Sequence, residues 1–185
     1  MPSRREKERV VYQSLLEALY VRGLEGQVTP ALRWALLKEG LNLDALPTSL
    51  PVPVYRRCLE ITARELYPEL SLHDGFREVA RRLARGSWTT PLGRAMTGCL
   101  RLLGPRRAVE WLSRLFRAFD SYSEVRAIRE APGCYRIRFN APDVPDGYAE
   151  ATLEEVLREA GARNPEARAL GRDAETSSFR VTWQV

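Results

Sequence analysis

From Val11 to Phe119, apolar residues recur every three or four positions, and beyond Tyr122 they alternate every second position. The first period is that of amphipathic helices and the second that of strands with one buried face. Val11, Leu15 and Leu19 share one helix face over Val11–Val21, with Gly23 and Gly26 as stops. Thr29-Pro30 joins an N-cap to a proline at the first helical position. It opens a helix that carries Leu32, Ala35 and Leu36 and ends at Gly40. Residues 41–54, spaced by prolines, predict an ordered loop wrapped on the helical layer, because their leucines and valines are too apolar for a free linker. A third helix is predicted over Val54–Leu66, with Tyr55, Leu59, Thr62 and Leu66 in register. Ser71, with Asp74 three residues on, opens a fourth. Its stripe is Phe76, Val79, Ala80 and Leu83, and its stop is Gly86.

Thr90-Pro91 repeats the cap-and-proline start. Leu92, Ala95, Met96, Cys99, Leu102 and Leu103 then predict a broad buried face. Gly104 ends that helix, and Pro105 begins another with the stripe Ala108, Leu112, Leu115, Phe116 and Phe119. In the second half, Val125–Arg129 reads as a strand, Ala131-Pro132-Gly133 as a turn and Cys134–Phe139 as a strand. Tyr135, Ile137 and Phe139 alternate there with Cys134, Arg136 and Arg138. A helix follows over Tyr148–Ala160, then a weak strand over Arg168–Gly171. The last strand, Ser178–Val185, sets Phe179, Val181, Trp183 and Val185 on one face. The fold class is therefore α+β in a single domain, 1–185. Residues 1–9 form a flexible charged lead-in, 10–120 a helical layer of about six helices, and 121–185 an antiparallel four-stranded ββαββ sheet packed on helices.

Composition adds bounds. A hydrophobic share of 44% supports a sizeable core, and a net charge of +5 is spread along the chain, nearly all of it arginine. That charge favours acidic partners weakly. No apolar run approaches the length of a membrane span, and the N-terminus lacks the apolar stretch of a signal peptide, so a cytoplasmic protein is expected. Cys58, Cys99 and Cys134 are odd in number and far apart. They read as free thiols, Cys58 and Cys99 buried, and not as a disulfide framework or a metal set.

The candidate chemistries fall one by one. The sole histidine, His73, stands next to Asp74 near a helix start, and adjacent helical residues do not face each other. No serine or cysteine elbow accompanies it, so no enzyme is expected. Acidic residues such as Glu154-Glu155 before Arg158 read as a solvated helix face. There is no glycine-rich phosphate loop. Thr90-Pro91-Leu92-Gly93-Arg94 sets helix amides and an arginine near any anion, although capping accounts for it. Arg136, Arg138 and Arg180 form a basic open face if their strands are neighbours. Tyr135, Phe139, Phe179 and Trp183 lie on the other side, which argues against nucleic acid, whose readers stack bases on the open face. Of the four tryptophans, Trp88, in a Gly-Ser-Trp-Thr-Thr loop, is the candidate for lining a pocket or meeting a partner.

The run GLEGQVTPALRWALLKEGLNLDALPTSLPVPVY resembles the opening of a domain of unknown function expanded as paralogues in myxobacteria. ELYPEL, Thr-Thr-Pro-Leu-Gly-Arg-Ala, Leu-Gly-Pro-Arg-Arg at 103–107, Phe116 to Tyr122 and the Val181-Thr182-Trp183 strand continue the resemblance through nearly the whole chain. The layout is also similar to a fold group that includes haem nitric-oxide-binding domains, vinyl-reductase-type ligand sensors and Bet3-like vesicle-tethering subunits. The resemblance implies a ligand held inside the fold, namely haem, an aromatic effector or an acyl chain, and frequent dimers. The haem branch needs an internal histidine and a Tyr-x-Ser-x-Arg string. This chain has only His73, and Tyr122-Ser123-Glu124-Val125-Arg126 and Tyr135-Arg136-Ile137-Arg138 do not match. No cofactor is expected. The acyl-chain branch implies a buried cysteine, a place open to Cys58 or Cys99. The expectation is a non-enzymatic sensor or regulatory module with a small apolar ligand or a protein partner. Trp88, Thr90, Arg94 and Cys99 are the candidate ligand-binding residues. The alternative is a ligand-free scaffold that acts as a homodimer.

Overall fold

The two cap-and-proline starts form as their chemistry requires. Thr29 and Thr90 each accept a hydrogen bond from the amide three residues on, Leu32 at 3.1 Å and Gly93 at 3.0 Å. They open helices α2 (Pro30–Lys38) and α5 (Pro91–Arg117). A computed structural model describes residues 9–185; the lead-in expected over 1–9 lies, but for Arg9, outside them. Strand β1 (Val10–Tyr12) precedes helix α1 (Gln13–Leu16), which runs on as a π-helical stretch, Glu17–Gly23. Strand β2 (Ser49–Pro51) leads into α3 (Val52–Leu66), and Ser71 caps α4 (Leu72–Thr89) through the Asp74 amide. Strands β3 (Val125–Ala131) and β4 (Cys134–Phe139), helix α6 (Asp146–Glu159) and strands β5 (Arg163–Arg172) and β6 (Ser177–Gln184) complete the chain. The four form one antiparallel sheet in the order β3-β4-β6-β5.

The mixed α+β reading stands, with corrections. Residues 10–12 and 49–51 pair as a two-stranded ribbon where a helix and a loop were expected. Val11 also bridges to Asp120, so the ribbon ties residues 10–12 to the junction between the helices and the sheet. The two helices expected to meet at Gly104-Pro105 do so: α5 is broken there, because Gly104 sits at φ 69°, outside the helical region. Gly86 does not stop α4, which continues to Thr89. It is a contact point: a side chain there would strike the Ala18 carbonyl and Gly23, so α4 crosses the π-helical stretch backbone to backbone.

Two apolar clusters result. The first joins α1, α2, α3 and α4 around Leu16, Leu19, Leu36 and Leu59, and the second joins α5, α6 and the sheet around Leu112, Ile137, Leu153 and Phe179. Leu15, Tyr122 and Val144 pack against both. Glu154 is a correction as well: it is buried, not solvated. One of its oxygens accepts from Arg77 on α4 at 2.7 Å and the other from the Ala167 amide on β5 at 3.1 Å. One turn earlier, Glu150 does the same with His73 and the Ala169 amide. The two carboxylates thus cover amides on the outer side of an edge strand, which would otherwise invite pairing with another chain. Among the described residues, no helix is long and apolar enough to cross a membrane.

Candidate functional site: an apolar cavity between the two cores

A cavity of about 130 Å³ lies where the two clusters meet. Helical spacing builds most of its wall. Ala80, Leu83, Ala84 and Ser87 follow one face of α4, and Tyr148, Ala149, Thr152 and Val156 follow one face of α6. Leu115, Phe116 and Phe119 close it from the end of α5, Phe139 from the sheet and Val11 from β1. Leu15, Tyr122 and Val144, the residues shared by both clusters, also line it.

Its polar groups are few and mostly engaged with the protein. The Tyr55 and Tyr148 hydroxyls share a hydrogen bond of 2.8 Å, and Thr152 donates to the Tyr148 carbonyl at 2.8 Å. Asp120 accepts from the Tyr122 and Ser123 amides at 3.0 and 2.7 Å and from the Ser123 hydroxyl at 2.5 Å. Burial raises the Asp120 carboxyl above its usual range, against the lowering effect of those bonds. Burial likewise holds the phenols of Tyr55, Tyr122 and Tyr148 well above their ordinary value.

Of the four candidate residues, only Trp88 lines the cavity. Thr90 is buried, but its hydroxyl is spent on the cap: it donates to the Ser87 carbonyl at 2.9 Å and accepts from Gly93. Arg94 is exposed and donates to the Thr89 carbonyl at 2.6 Å. Cys99, expected to be buried, is exposed on the outward face of α5. Leu92, Ala95 and Leu102 of the expected stripe share that exposed face, Met96 of the same stripe is buried and Leu103 half-buried, and Leu100, outside the stripe, is buried as well. The expected stripe is thus about one helical position too far round, because two apolar arcs adjoin on this helix and only the one through Met96 and Leu100 meets the core. Cys58 is buried, and burial pushes its thiol up to about 12, so it is not a ready nucleophile. Arg136 and Arg180 are indeed cross-strand neighbours, and Glu130 bridges them at 2.7 and 3.0 Å. The sequence signal that could have found the cavity is the alanine set at 80, 84 and 149, small residues on faces where leucine is the usual filling.

No curated protein matches the sequence. Solved structures do. An H-NOX protein from S. oneidensis in the Fe(II)NO ligation state is 11% identical, with 94% of this chain and 99% of that one aligned at a TM-score of 0.70. An oxygen-binding H-NOX domain related to soluble guanylate cyclases, in its oxygen complex, is 12% identical over 93% and 92% of the chains, with a TM-score of 0.64. An Fe(II) unliganded H-NOX protein mutant from K. algicida is 7% identical over 94% and 97%, at 0.62. At these identities the likeness is one of fold.

The residues here do not fit a haem. The one histidine is outside the cavity: the His73 ring is half exposed and bonded to Glu150 at 2.9 Å. The phenols that line the space are held protonated, whereas a ligating tyrosine is a phenolate. A volume of about 130 Å³ is also well below the roughly 300–1,000 Å³ of pockets for drug-sized ligands. A family model described as a protein of unknown function (DUF2378) matches residues 9–184, and the chain belongs to that family.

Proposed function

We propose that this chain is a non-enzymatic regulatory module that takes a small apolar molecule, without haem, into the cavity between its two cores. The observation that carries the reading is the cavity itself, apolar and lined by residues of both clusters. Its volume of about 130 Å³ is close to that of an engineered apolar cavity of about 150 Å³ that stays dry and admits benzene or xenon. A molecule there touches α4, α5, α6 and the sheet at once, so its arrival changes how the halves are held together. The fold it shares with H-NOX domains supports the reading by analogy only.

Methyl-labelled NMR of the full chain with benzene as the probe tests it. Saturable shifts confined to the leucine and valine methyls that line the cavity, those of Val11, Leu15, Leu83, Leu115, Val144 and Val156, and abolished by Ala84→Leu, are expected. Absence of any shift up to the solubility limit of benzene, with Leu83 methyls as slow to relax as those of Leu16, would overturn it. The competing reading is a ligand-free scaffold acting as a homodimer. It draws on Leu92 and Leu102, which are exposed on α5.

A further inference from the structure

Three carboxylates are buried among the described residues, those of Asp120, Glu150 and Glu154. Glu150 is held by His73 at 2.9 Å and Glu154 by Arg77 at 2.7 Å. Asp120 lines the cavity and has no ion pair among the described residues. The exposed Arg117 acts on it less than burial and less than each of its three hydrogen bonds. A buried carboxylate without a cation is costly, and the cavity beside Asp120 is where one can come.

The turn that Asp120 holds does not use up its capacity. Oδ1 accepts from the Tyr122 and Ser123 amides, but Oδ2 accepts only from the Ser123 hydroxyl, which leaves it room for a further donor. A second polar group in the same cavity is free. Ser87 is 6% exposed and lines the space, yet its hydroxyl has no hydrogen-bond partner among the described residues. The rest of the lining favours a cation over an anion. No lysine, arginine or histidine of the described residues lines the cavity, and the rings of Trp88, Phe116, Phe119 and Phe139 do. Desolvation of an ammonium opposes its entry, but the carboxylate it would meet is already buried, so the pair has only one such cost still to offset. We infer that the guest of this cavity is a small apolar amine, held as its ammonium by Asp120. The inference rests on the reading that the cavity takes a guest, and it excludes carboxylates as the guest's class.

Methyl NMR titrations of the full chain with cyclopentylamine, cyclopentanol, benzene and cyclobutanecarboxylate test it. The first three have the same number of heavy atoms. The amine is expected to bind at least about ten-fold tighter than the alcohol. The carboxylate is expected not to bind, although the net charge of +5 would attract it. Asp120→Asn keeps the side chain's shape and an oxygen for the turn. It is expected to remove the advantage of the amine and to leave the alcohol and benzene within about three-fold of the parent. Ala84→Leu is expected to abolish binding of all three. Should Asp120→Asn not fold, the comparison of amine, alcohol and carboxylate in the parent and in Ala84→Leu decides. Benzene binding with the amine no tighter than the alcohol would overturn this inference and leave the cavity reading standing. An advantage of the amine that survives Ala84→Leu or Asp120→Asn would place it elsewhere and overturn the inference too. Binding of none of the probes would overturn the cavity reading and this inference with it.

Discussion

Gly86→Ala tests the packing on which the helical layer depends. Alanine is the better helix former by about 1 kcal/mol, so at an open helical position the change stabilises. Gly86 is not open. A Cβ built there lies 1.9 Å from the Ala18 carbonyl oxygen, 2.6 Å from the Gly23 nitrogen and 2.9 Å from the Gly23 Cα. All three are backbone atoms, so no rotamer change relieves the clash. Restoring ordinary contact requires α4 and the π-helical stretch to part by more than about 1 Å, and a radial gap of that size forfeits up to about half of each neighbouring dispersion contact. Val79, Ala80 and Leu83 on α4 and Leu16, Leu19 and Tyr20 opposite them sit in that cluster. Overpacking of this kind costs about 3 kcal/mol, the upper part of the usual range, which leaves a net loss of about 2 kcal/mol after the propensity gain. For a domain of this size that lowers Tm by about 4–8 °C. Gly98→Ala is the matched control: it sits in α5 with helical backbone and no heavy atom within 4 Å of the new Cβ. It should gain about 0.5–1 kcal/mol and raise Tm by about 1–4 °C. Thermal unfolding followed by circular dichroism reads both. A Gly86→Ala protein as stable as the parent would refute the close crossing.

Three further outcomes follow from the contacts. Glu154→Ala leaves Arg77 without its carboxylate and uncovers the Ala167 amide. It should cost about 2–4 kcal/mol in chemical denaturation and speed hydrogen exchange along β5. The His73 pKa is raised, chiefly by its hydrogen bond to Glu150, with Asp74 adding to the effect. The folded state therefore favours the protonated ring. The stabilisation is complete below 6.5 and is lost as pH rises through the folded value. With the ring half exposed it amounts to less than about 1 kcal/mol, and NMR titration of this single histidine should show a midpoint above 6.5 that falls in Glu150→Gln. Among the thiols, Cys99 should react first with a disulfide reagent and Cys58 only on unfolding; prompt modification of Cys58 in the native protein contradicts its burial.

Much of the fold was legible because its signals are local. Thr29, Ser71 and Thr90 as caps, Gly104 as a break and the alternation of Tyr135, Ile137 and Phe139 each depend on a few neighbouring residues, and each appears where the pattern put it. The β1–β2 ribbon was not legible, since three-residue strands carry too few alternations to compete with a helical stripe. Neither was the role of Glu150 and Glu154. A glutamate on a helix reads as solvated until the edge strand it covers is known. The site was legible in one residue, Trp88. Its lining is spread over β1, α1, α3, α4, α5, β4 and α6, and which stripes face one another is a matter of tertiary arrangement. Thr90 and Arg94 belong to a helix start able to face an anion, and Cys99 to the buried cysteine that the resemblance implies; the Thr90 hydroxyl is spent on the cap, and Arg94 and Cys99 lie on the exposed side of α5, which only the tertiary arrangement decides.

The cavity also bears on how the molecule holds together as a unit. Leu15, Tyr122 and Val144 are the residues that touch both apolar clusters, and all three line the empty space. At the junction between the cores these shared residues therefore lack packing partners on the side that faces the cavity. A guest in that space adds contacts that neither core makes with the other by itself. On the proposed reading such a guest would brace the joint, so that the helical layer and the sheet would unfold more nearly as one unit with the guest bound than without it.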